Sequence, residues 1–253
     1  MRELFEEATF KRAEEVPKDA PLAVRMRPRT LEEVLGQDHL LGEGKLLRRT
    51  LLADRLTSLI FYGPPGSGKT TLGKVISRLT RSHFVPLNAV TSNVNEIRQA
   101  IEGAQRLRGH QEIRTILFID EIHRFNKAQQ DVLLPDVEEG NVILVGSTTH
   151  NPSFAITGPL LSRSLIFELR PLEENDLMRL LRRAIQDKER GFGKFQTEVT
   201  EEALQHMAKS ASGDGRRALN ALEVAILTTV PDASGKIRVD ERIAEESCQR
   251  RIV

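Results

Sequence analysis

GPPGSGKTT, at Gly63–Thr71, is the stretch of sequence that decides the fold of this chain. The apolar segment Ser58–Tyr62 precedes it, and residues 72–76 follow it with the apolar spacing of a helix. The order is therefore strand, glycine-rich loop and helix. The positions that fit the spacing G-x-x-x-x-G-K-[ST] are Gly63, Gly68, Lys69 and Thr70.

Each residue type in this loop suits the binding of a phosphate chain. Glycines let consecutive backbone N–H groups curl around an anion, and the amino terminus of the following helix adds a partial positive charge. We expect Lys69 to reach the β- and γ-phosphates and the Thr70 hydroxyl to hold Mg²⁺. The loop therefore predicts a site for a nucleoside triphosphate. Its predicted binding residues are Gly63, Pro64, Pro65, Gly66, Ser67, Gly68, Lys69, Thr70 and Thr71.

The composition limits the class of protein. With 253 residues, 39% of them hydrophobic and 29% charged, the chain fits a globular protein with one large and one smaller domain. No apolar run approaches the roughly 18 residues of a membrane helix, and the amino terminus lacks the apolar core of a signal peptide, so we expect a cytoplasmic location. The single cysteine, Cys248, excludes an internal disulfide. The net charge of +1 neither requires nor excludes nucleic acid, because binding depends on a local basic patch.

Strands and helices alternate along most of the chain. Thr115–Ile119 and Val142–Val145 are continuously apolar, which is typical of strands covered on both faces. With further strands near 83–89 and 165–169, they predict an α/β fold, a parallel sheet with helices on both sides. After Pro171 the pattern predicts helices only. The predicted regions are a flexible arm at 1–20, an α/β nucleotide-binding domain at 21–170 and a small all-α domain at 171–253.

Polar side chains follow two of these predicted strands. In open α/β sheets ligands bind beyond the carboxyl ends of the strands, so Asp120 and Glu121 are expected to face the phosphate loop. One acid there can hold Mg²⁺ and a second can polarise the water that attacks the γ-phosphate. We assign Asp120, with Thr70, to the metal and Glu121 to the water. Thr148 is placed to contact the γ-phosphate or the water, although a threonine at a strand end is more often a turn or cap residue.

Six further segments carry a family pattern. They are PLAVRMRP at Pro21–Pro28, GQDHLLG at Gly36–Gly42, ILFIDEIHRFNKAQQDVLLPDVEEG at Ile116–Gly140, STTHNPSF at Ser147–Phe154, LLSRS at Leu160–Ser164 and GDGRRALNALE at Gly213–Glu223. Together with the phosphate loop they resemble the AAA+ ATPases. Within this class the chain resembles the clamp-loader-related family of replication-associated recombination protein A and the Werner-helicase-interacting ATPases. The stretch HRFNKAQQD, at His123–Asp131, separates this family from ordinary clamp-loader subunits.

The resemblance implies roles that the residues alone leave open. Thr148 would be a first sensor, and Arg216 a second sensor that touches the γ-phosphate from a helical lid. Arg163 would be an arginine finger that enters the site of the next protomer, so that assembly into a homo-oligomer would switch hydrolysis on. A finger acting in trans is worth roughly 10³–10⁵ in turnover. The residues that would surround the adenine are Arg27, Val34 and Gly36.

The resemblance also implies a function. The chain would be a DNA-dependent ATPase that uses ATP and Mg²⁺ and acts at stalled replication forks and DNA ends, in replication-associated recombination and repair. Its partners would be DNA with single-stranded ends, gaps or forks, single-strand-binding protein and other replication proteins, in a nucleoid-associated location. Members of the family continue past the equivalent of residues 248–251 into a tetramerisation domain, so we expect this chain to lack that domain.

Two other functions stay open, and a third class is rejected. A clamp-loader subunit would bind a purified sliding clamp, and a nucleotide-gated scaffold would bind ATP with little turnover. Glu121 and Arg163 count against the scaffold, because a scaffold needs neither residue. A two-lobed helicase is excluded because the chain after Pro171 is too short and too helical to form a second nucleotide-clamping lobe. A Holliday-junction motor is disfavoured because nothing after the lid could form its DNA-binding domain.

Overall fold

The computed structural model describes Pro17 and residues 19–248, so most of the predicted arm at 1–20 lies outside the described residues. The described chain forms two units. The α/β unit is Pro28–Glu173, and the helical unit consists of the described parts of Met1–Arg27 and Glu174–Val253.

The centre of the α/β unit is a five-stranded parallel sheet with the strand order β2-β3-β4-β1-β5. Its strands are β1 at Ser58–Tyr62, β2 at His83–Asn88, β3 at Thr115–Asp120, β4 at Val142–Thr148 and β5 at Ser164–Glu168. The apolar strands β3 and β4 are central and almost wholly buried, whereas β5 is an edge strand with alternating exposure. This confirms the predicted parallel α/β sheet.

Helices cover both faces of the sheet. They are Asp38–Leu41, Leu46–Leu52, Lys69–Leu79, Val94–Gln111, Lys127–Glu138, Pro152–Ala155 and Gly158–Leu161, with 3₁₀ turns at Leu31–Glu33 and Ile122–Arg124. Leu117 and Phe118 are neighbours in β3, so their side chains point to opposite faces. Phe118 packs in one apolar layer with Leu72, and Leu117 packs in the other with Ile97 and Leu133. Among the described residues no helix has the length and hydropathy needed to cross a membrane.

A segment before the first strand is fastened to the end of β5. The buried Gln37 donates from Nε2 to the Arg170 carbonyl at 2.9 Å, and the Arg170 N–H donates to Gln37 Oε1 at 3.1 Å. His39 adds a hydrogen bond of 2.8 Å between Nε2 and the Glu168 carbonyl. The segment that contains Val34 and Gly36 is therefore held in place beside the carboxyl end of the sheet's edge strand.

The helical unit includes a short segment from the amino-terminal part of the chain. The described helices of the whole unit are Leu22–Arg25, Glu174–Gln186, Glu201–Ala211, Gly215–Thr228 and Glu241–Ser247. Leu22 is fully buried, and its N–H donates to Glu223 Oε1 at 2.8 Å. The Arg25 guanidinium pairs with Glu223 at 3.3 Å and lies 5.6 Å from the centre of the Phe192 ring. These contacts draw residues 21–27, which the sequence groups with the α/β domain, into the helical unit.

The helical unit also contains a small sheet. Strands β6 at Thr197–Val199 and β7 at Ile237–Val239 pair in parallel. The sequence predicts helices only in this region, and three residues are too few to show the alternation by which a strand is recognised. The other regular elements described in this unit are helices, as predicted.

Candidate functional site

The phosphate loop connects β1 to the helix Lys69–Leu79 at the carboxyl end of the sheet. The Gly63 N–H donates to the Thr148 carbonyl at 3.2 Å, so the loop starts beside the end of β4. Ser67 Oγ donates to the Pro64 carbonyl at 2.9 Å. Gly68, immediately before the helix, has a φ of 99°, a left-handed conformation that glycine adopts without strain. The loop therefore folds back on itself and ends at a helix amino terminus.

Lys69 is held inside the curve of this loop. Its residue exposure is only 7%, and its Nζ donates to the Gly63 carbonyl at 2.7 Å and to the Pro64 carbonyl at 2.8 Å. A buried ammonium group requires such partners, because desolvation of a charge is costly. The cation is therefore already placed where the loop would receive an anion.

Two oxygen groups suited to Mg²⁺ lie side by side. Thr70 Oγ1 is 3.4 Å from Asp120 Oδ2, and the other Asp120 oxygen accepts a hydrogen bond from the Ser147 hydroxyl. Mg²⁺ prefers hard oxygen ligands and keeps several waters, so a hydroxyl and a carboxylate fit it. The sequence assigns no role to Ser147, and the only signal for it is its position in the polar end of β4.

Glu121 lies where the chain turns sharply after β3. Its φ of 56° and ψ of 43° are left-handed, a conformation that costs a non-glycine residue about 1–2 kcal/mol. The chain then enters the 3₁₀ turn Ile122–Arg124, in which Ile122 is fully buried and the Arg124 N–H donates to the Glu121 carbonyl at 2.8 Å. Strain of this kind, held by packing, often occurs at functional sites.

His123 joins Glu121 to Thr148. Its Nε2 is 3.3 Å from Glu121 Oε2, and its Nδ1 is 3.0 Å from Thr148 Oγ1. Thr148 is fully buried and its Oγ1 accepts from the His150 N–H at 3.0 Å, while the His150 ring centre lies 4.1 Å from that of His123. Burial lowers the pKa of His123; the Glu121 charge opposes this shift, and His150 and Arg124 reinforce it. In the sequence, His123 is part of a family segment and has no predicted role of its own.

Arg163 lies at the amino end of the strands, whereas its own phosphate loop lies at their carboxyl end. It directly precedes β5, whose first residue, Ser164, is in register with Ser58, the first residue of β1. Its Nη2 is 2.5 Å from Glu138 Oε1, and its Nη1 donates to the Pro159 carbonyl at 2.9 Å. The side chain is 41% exposed and lines a cavity of about 590 Å³. Arg163 therefore lies at the surface, with part of its side chain open to solvent.

The remaining predicted residues are divided between the two units. In the α/β unit, the half-buried Val34 follows the turn Leu31–Glu33 and packs against an apolar layer of the sheet, and Gly36 has a φ of 70°. Arg27 and Arg216 belong to the helical unit. Arg216 is exposed in the first turn of its helix, which Asp214 caps by accepting the Arg216 N–H at 2.8 Å.

Two family descriptions match the chain. Residues 59–172 match the "ATPase family associated with various cellular activities (AAA)", and residues 193–253 match the "AAA C-terminal domain". The first match contains the phosphate loop and the acidic end of β3. The second lies in the helical part of the chain.

Curated relatives extend these matches over most of the chain. It is 44% identical over 226 residues to replication-associated recombination protein A of Haemophilus influenzae, an alignment of 89% of this chain and 50% of that protein. The protein of the same name from Escherichia coli K12 is 45% identical over 231 residues, with 91% and 52% covered. ATPase WRNIP1 of Dictyostelium discoideum is 38% identical over 234 residues, with 92% and 26% covered. The chain thus spans about half the length of the first two relatives.

A solved structure shares the fold. The RuvB Holliday junction branch migration motor of Thermotoga maritima matches with a TM-score of 0.68 and 26% sequence identity. The match covers 88% of this chain and 72% of that chain. The fold of this chain therefore occurs in that protein over most of the chain.

Proposed function

Because the chain belongs to the AAA ATPase family, in the group of replication-associated recombination protein A and ATPase WRNIP1, we propose that it is a DNA-dependent ATPase. Hydrolysis of ATP would drive the remodelling of DNA at stalled replication forks and DNA ends, in recombination and repair. The observation that carries the ATPase part is the contact of 3.4 Å between Thr70 and Asp120 beside the nearly buried Lys69. The DNA part is supported by the names of the relatives.

In the binding step the phosphate loop receives the triphosphate. Lys69 exchanges the loop carbonyls that it now contacts for phosphate oxygens, and the backbone N–H groups of the loop donate hydrogen bonds to the phosphates. Thr70 and Asp120 would hold Mg²⁺, which when bound neutralises charge on the phosphate oxygens. The proposed adenine contacts are Arg27, Val34 and Gly36.

In the hydrolysis step Glu121 orients and polarises the attacking water. Thr148 hydrogen-bonds the water or the γ-phosphate. Arg163 would stabilise the developing charge in the site of a neighbouring protomer, a role supported by its place at the amino end of the strands, opposite the carboxyl end at which its own loop lies. Arg216 would contact the γ-phosphate from the helical unit. Homo-oligomers, DNA with single-stranded ends, gaps or forks, and single-strand-binding protein are the proposed partners, and the nucleoid-associated cytoplasmic location stays a prediction.

The test is ATP turnover per protomer over a range of protein concentrations, with and without DNA that has single-stranded ends. We expect the rate to rise with protein concentration and again with DNA, and Glu121→Gln to bind ATP but lose turnover. A low, flat rate with tight ATP binding would support the scaffold instead. Near-normal turnover of Glu121→Gln would mean that another residue positions the water. Binding to a purified sliding clamp without stimulation by DNA would support the clamp-loader function.

A further inference from the structure

The side chain of His123 occupies a special place among the residues near the phosphate loop. It is 9% exposed, and both ring nitrogens are within hydrogen-bonding distance of residues that the proposed hydrolysis step uses. Nε2 lies 3.3 Å from the Glu121 carboxylate at the end of β3, and Nδ1 lies 3.0 Å from the Thr148 hydroxyl at the end of β4. One imidazole therefore spans two adjacent strand ends.

The direction of these hydrogen bonds follows from the donors and acceptors present. The Glu121 carboxylate only accepts hydrogen bonds, so Nε2 carries the ring proton and donates it to Glu121. Nδ1 of the neutral ring is then an acceptor, and the Thr148 hydroxyl, whose oxygen accepts the His150 N–H at 3.0 Å, donates to Nδ1 at 3.0 Å rather than to the more distant His150 carbonyl at 3.5 Å. A neutral ring is required for this arrangement, and burial lowers the pKa of His123 in that direction. The groups that face the ring and also act on its charge are Glu121, Arg124 and His150.

We propose that His123 is a positioning residue for ATP hydrolysis, whose imidazole orients the Glu121 carboxylate and the Thr148 hydroxyl as one hydrogen-bonded unit. This inference rests on the proposed ATPase function. Thr148 would contact the γ-phosphate or the water. A shift of its hydroxyl would move the His123 ring, and the ring would move the Glu121 carboxylate that orients the water. The Glu121 side chain makes no hydrogen bond that caps the following 3₁₀ turn, so its contact with His123 can set the direction of the carboxylate.

The alternative is that His123 only fills space against the His150 ring. The two readings predict opposite orders of activity for three substitutions. Phenylalanine is close to the imidazole in shape but makes neither hydrogen bond. Glutamine places an amide near the Nε2 position, toward Glu121, and asparagine places one near the Nδ1 position, toward Thr148. A packing role favours His123→Phe, whereas a positioning role favours His123→Gln and His123→Asn.

The first experiment measures kcat and ATP affinity for these variants of the whole chain. We expect His123→Phe to lower kcat by about 10-fold or more, because a hydrogen bond to a charged group is lost, while the Kd for ATP changes less than about threefold. His123→Gln and His123→Asn should each be at least about threefold faster than His123→Phe. The matched control is His110→Phe, an exposed histidine near the end of the helix Val94–Gln111, with wild-type turnover expected. Wild-type turnover of His123→Phe, or turnover higher in it than in both amide variants, would overturn the proposal.

The second experiment needs no turnover and remains decisive if a variant folds poorly. In the NMR spectrum of ¹⁵N-labelled protein, the imidazole signals of His123 are those that disappear in His123→Gln. These signals should show that the ring proton is on Nε2. Glu121→Gln should lower the pKa of His123 further, because the negative charge that raises it is removed. An unchanged titration of His123 in Glu121→Gln would contradict the hydrogen-bonded unit. If the wild-type protein hydrolyses no ATP, the proposed function fails, and this titration still decides whether His123 is coupled to Glu121.

Discussion

Replacing Gly63 with alanine tests the contact between the phosphate loop and the edge strand β5. A Cβ at Gly63 would lie 2.2 Å from the Leu169 carbonyl oxygen, and the φ of +149° is one that side chains rarely adopt. The Leu169 N–H donates to the Tyr62 carbonyl at 2.8 Å, so the carbonyl can move away only if the pairing of β1 with β5 is disturbed. The substitution should therefore strain the backbone and overpack the junction.

Gly68→Ala is the matched control and sets the expected magnitude. Gly68 lies in the same loop with a φ of +99°, but a Cβ there would have no atom within 4 Å. Backbone strain alone should lower the free energy of unfolding of Gly68→Ala by about 1–2 kcal/mol. Gly63→Ala should lower it by about 1–3 kcal/mol more, because an overpacked contact against backbone is added to the strain.

Urea unfolding followed by tyrosine fluorescence measures this difference within the α/β unit. The chain has no tryptophan and a single tyrosine, Tyr62, which is the last residue of β1. Its emission therefore reports the unfolding of the strand next to Gly63, and linear extrapolation gives the free energy of unfolding. Equal stability of Gly63→Ala and Gly68→Ala would refute the argument from the Leu169 carbonyl.

Three further predictions concern binding, assembly and pH. Lys69→Ala should weaken ATP binding by at least about 100-fold in calorimetry, because the phosphates lose their charge-assisted hydrogen bonds; unchanged affinity would contradict the loop assignment. Arg163→Ala should spare folding and ATP binding, since its ion pair with Glu138 is about 40% exposed and worth at most about 1 kcal/mol, and should reduce only concentration-dependent turnover. An unfolded Arg163→Ala would make this arginine structural. Burial lowers the pKa of His83 in the folded chain below its usual value of 6.5. Below pH 6.5 the unfolded chain therefore binds a proton at His83 that the folded chain binds only at a lower pH. Stability measured by tyrosine fluorescence should therefore fall as the pH drops below 6.5, with at most about 1.4 kcal/mol per pH unit contributed by His83, and less steeply in His83→Gln; equal slopes would count against this histidine.

The fold is largely predictable because its main signals are local. A strand covered on both faces leaves a continuous apolar run, and the runs ending at Ile119 and Val145 fall in the central strands β3 and β4. The glycine-rich loop fixes the strand before it and the helix after it. Strands β6 and β7 were not predictable, since each is stabilised by its partner 40 residues away rather than by a sequence period.

Capping shows how tertiary context overrides a short pattern. The spacing of Thr30 and Glu33 predicts a capping box, but a 3₁₀ turn with no side-chain cap occurs there, and Glu33 accepts the N–H of Arg29 at 3.0 Å. The pattern does form at Asn126 and Gln129, where both reciprocal hydrogen bonds are present. A four-residue motif fits many sites, and packing decides which of them forms a helix.

In the candidate site, residue types at strand ends are readable but their connections are not. The sequence places Asp120, Glu121 and Thr148 at adjacent strand ends, and their roles stay predictions. The link through His123 depends on the left-handed backbone of Glu121, which turns the next residues back toward β4. A positive φ at glutamate has no sequence signal, so this connection is not predictable from the sequence.

The edge strand β5 sets the distance between Arg163 and the start of the phosphate loop. Arg163 precedes its first residue, and Leu169, whose carbonyl abuts Gly63, follows its last. Five extended residues span roughly 16 Å, and a strand paired along its length hardly stretches. If Arg163 enters the site of a neighbouring protomer, the length of β5 sets the distance between the phosphate loop of a protomer and the arginine that it contributes to its neighbour. A conformational change transmitted from one site to the next protomer would then tilt the sheet and would not lengthen β5.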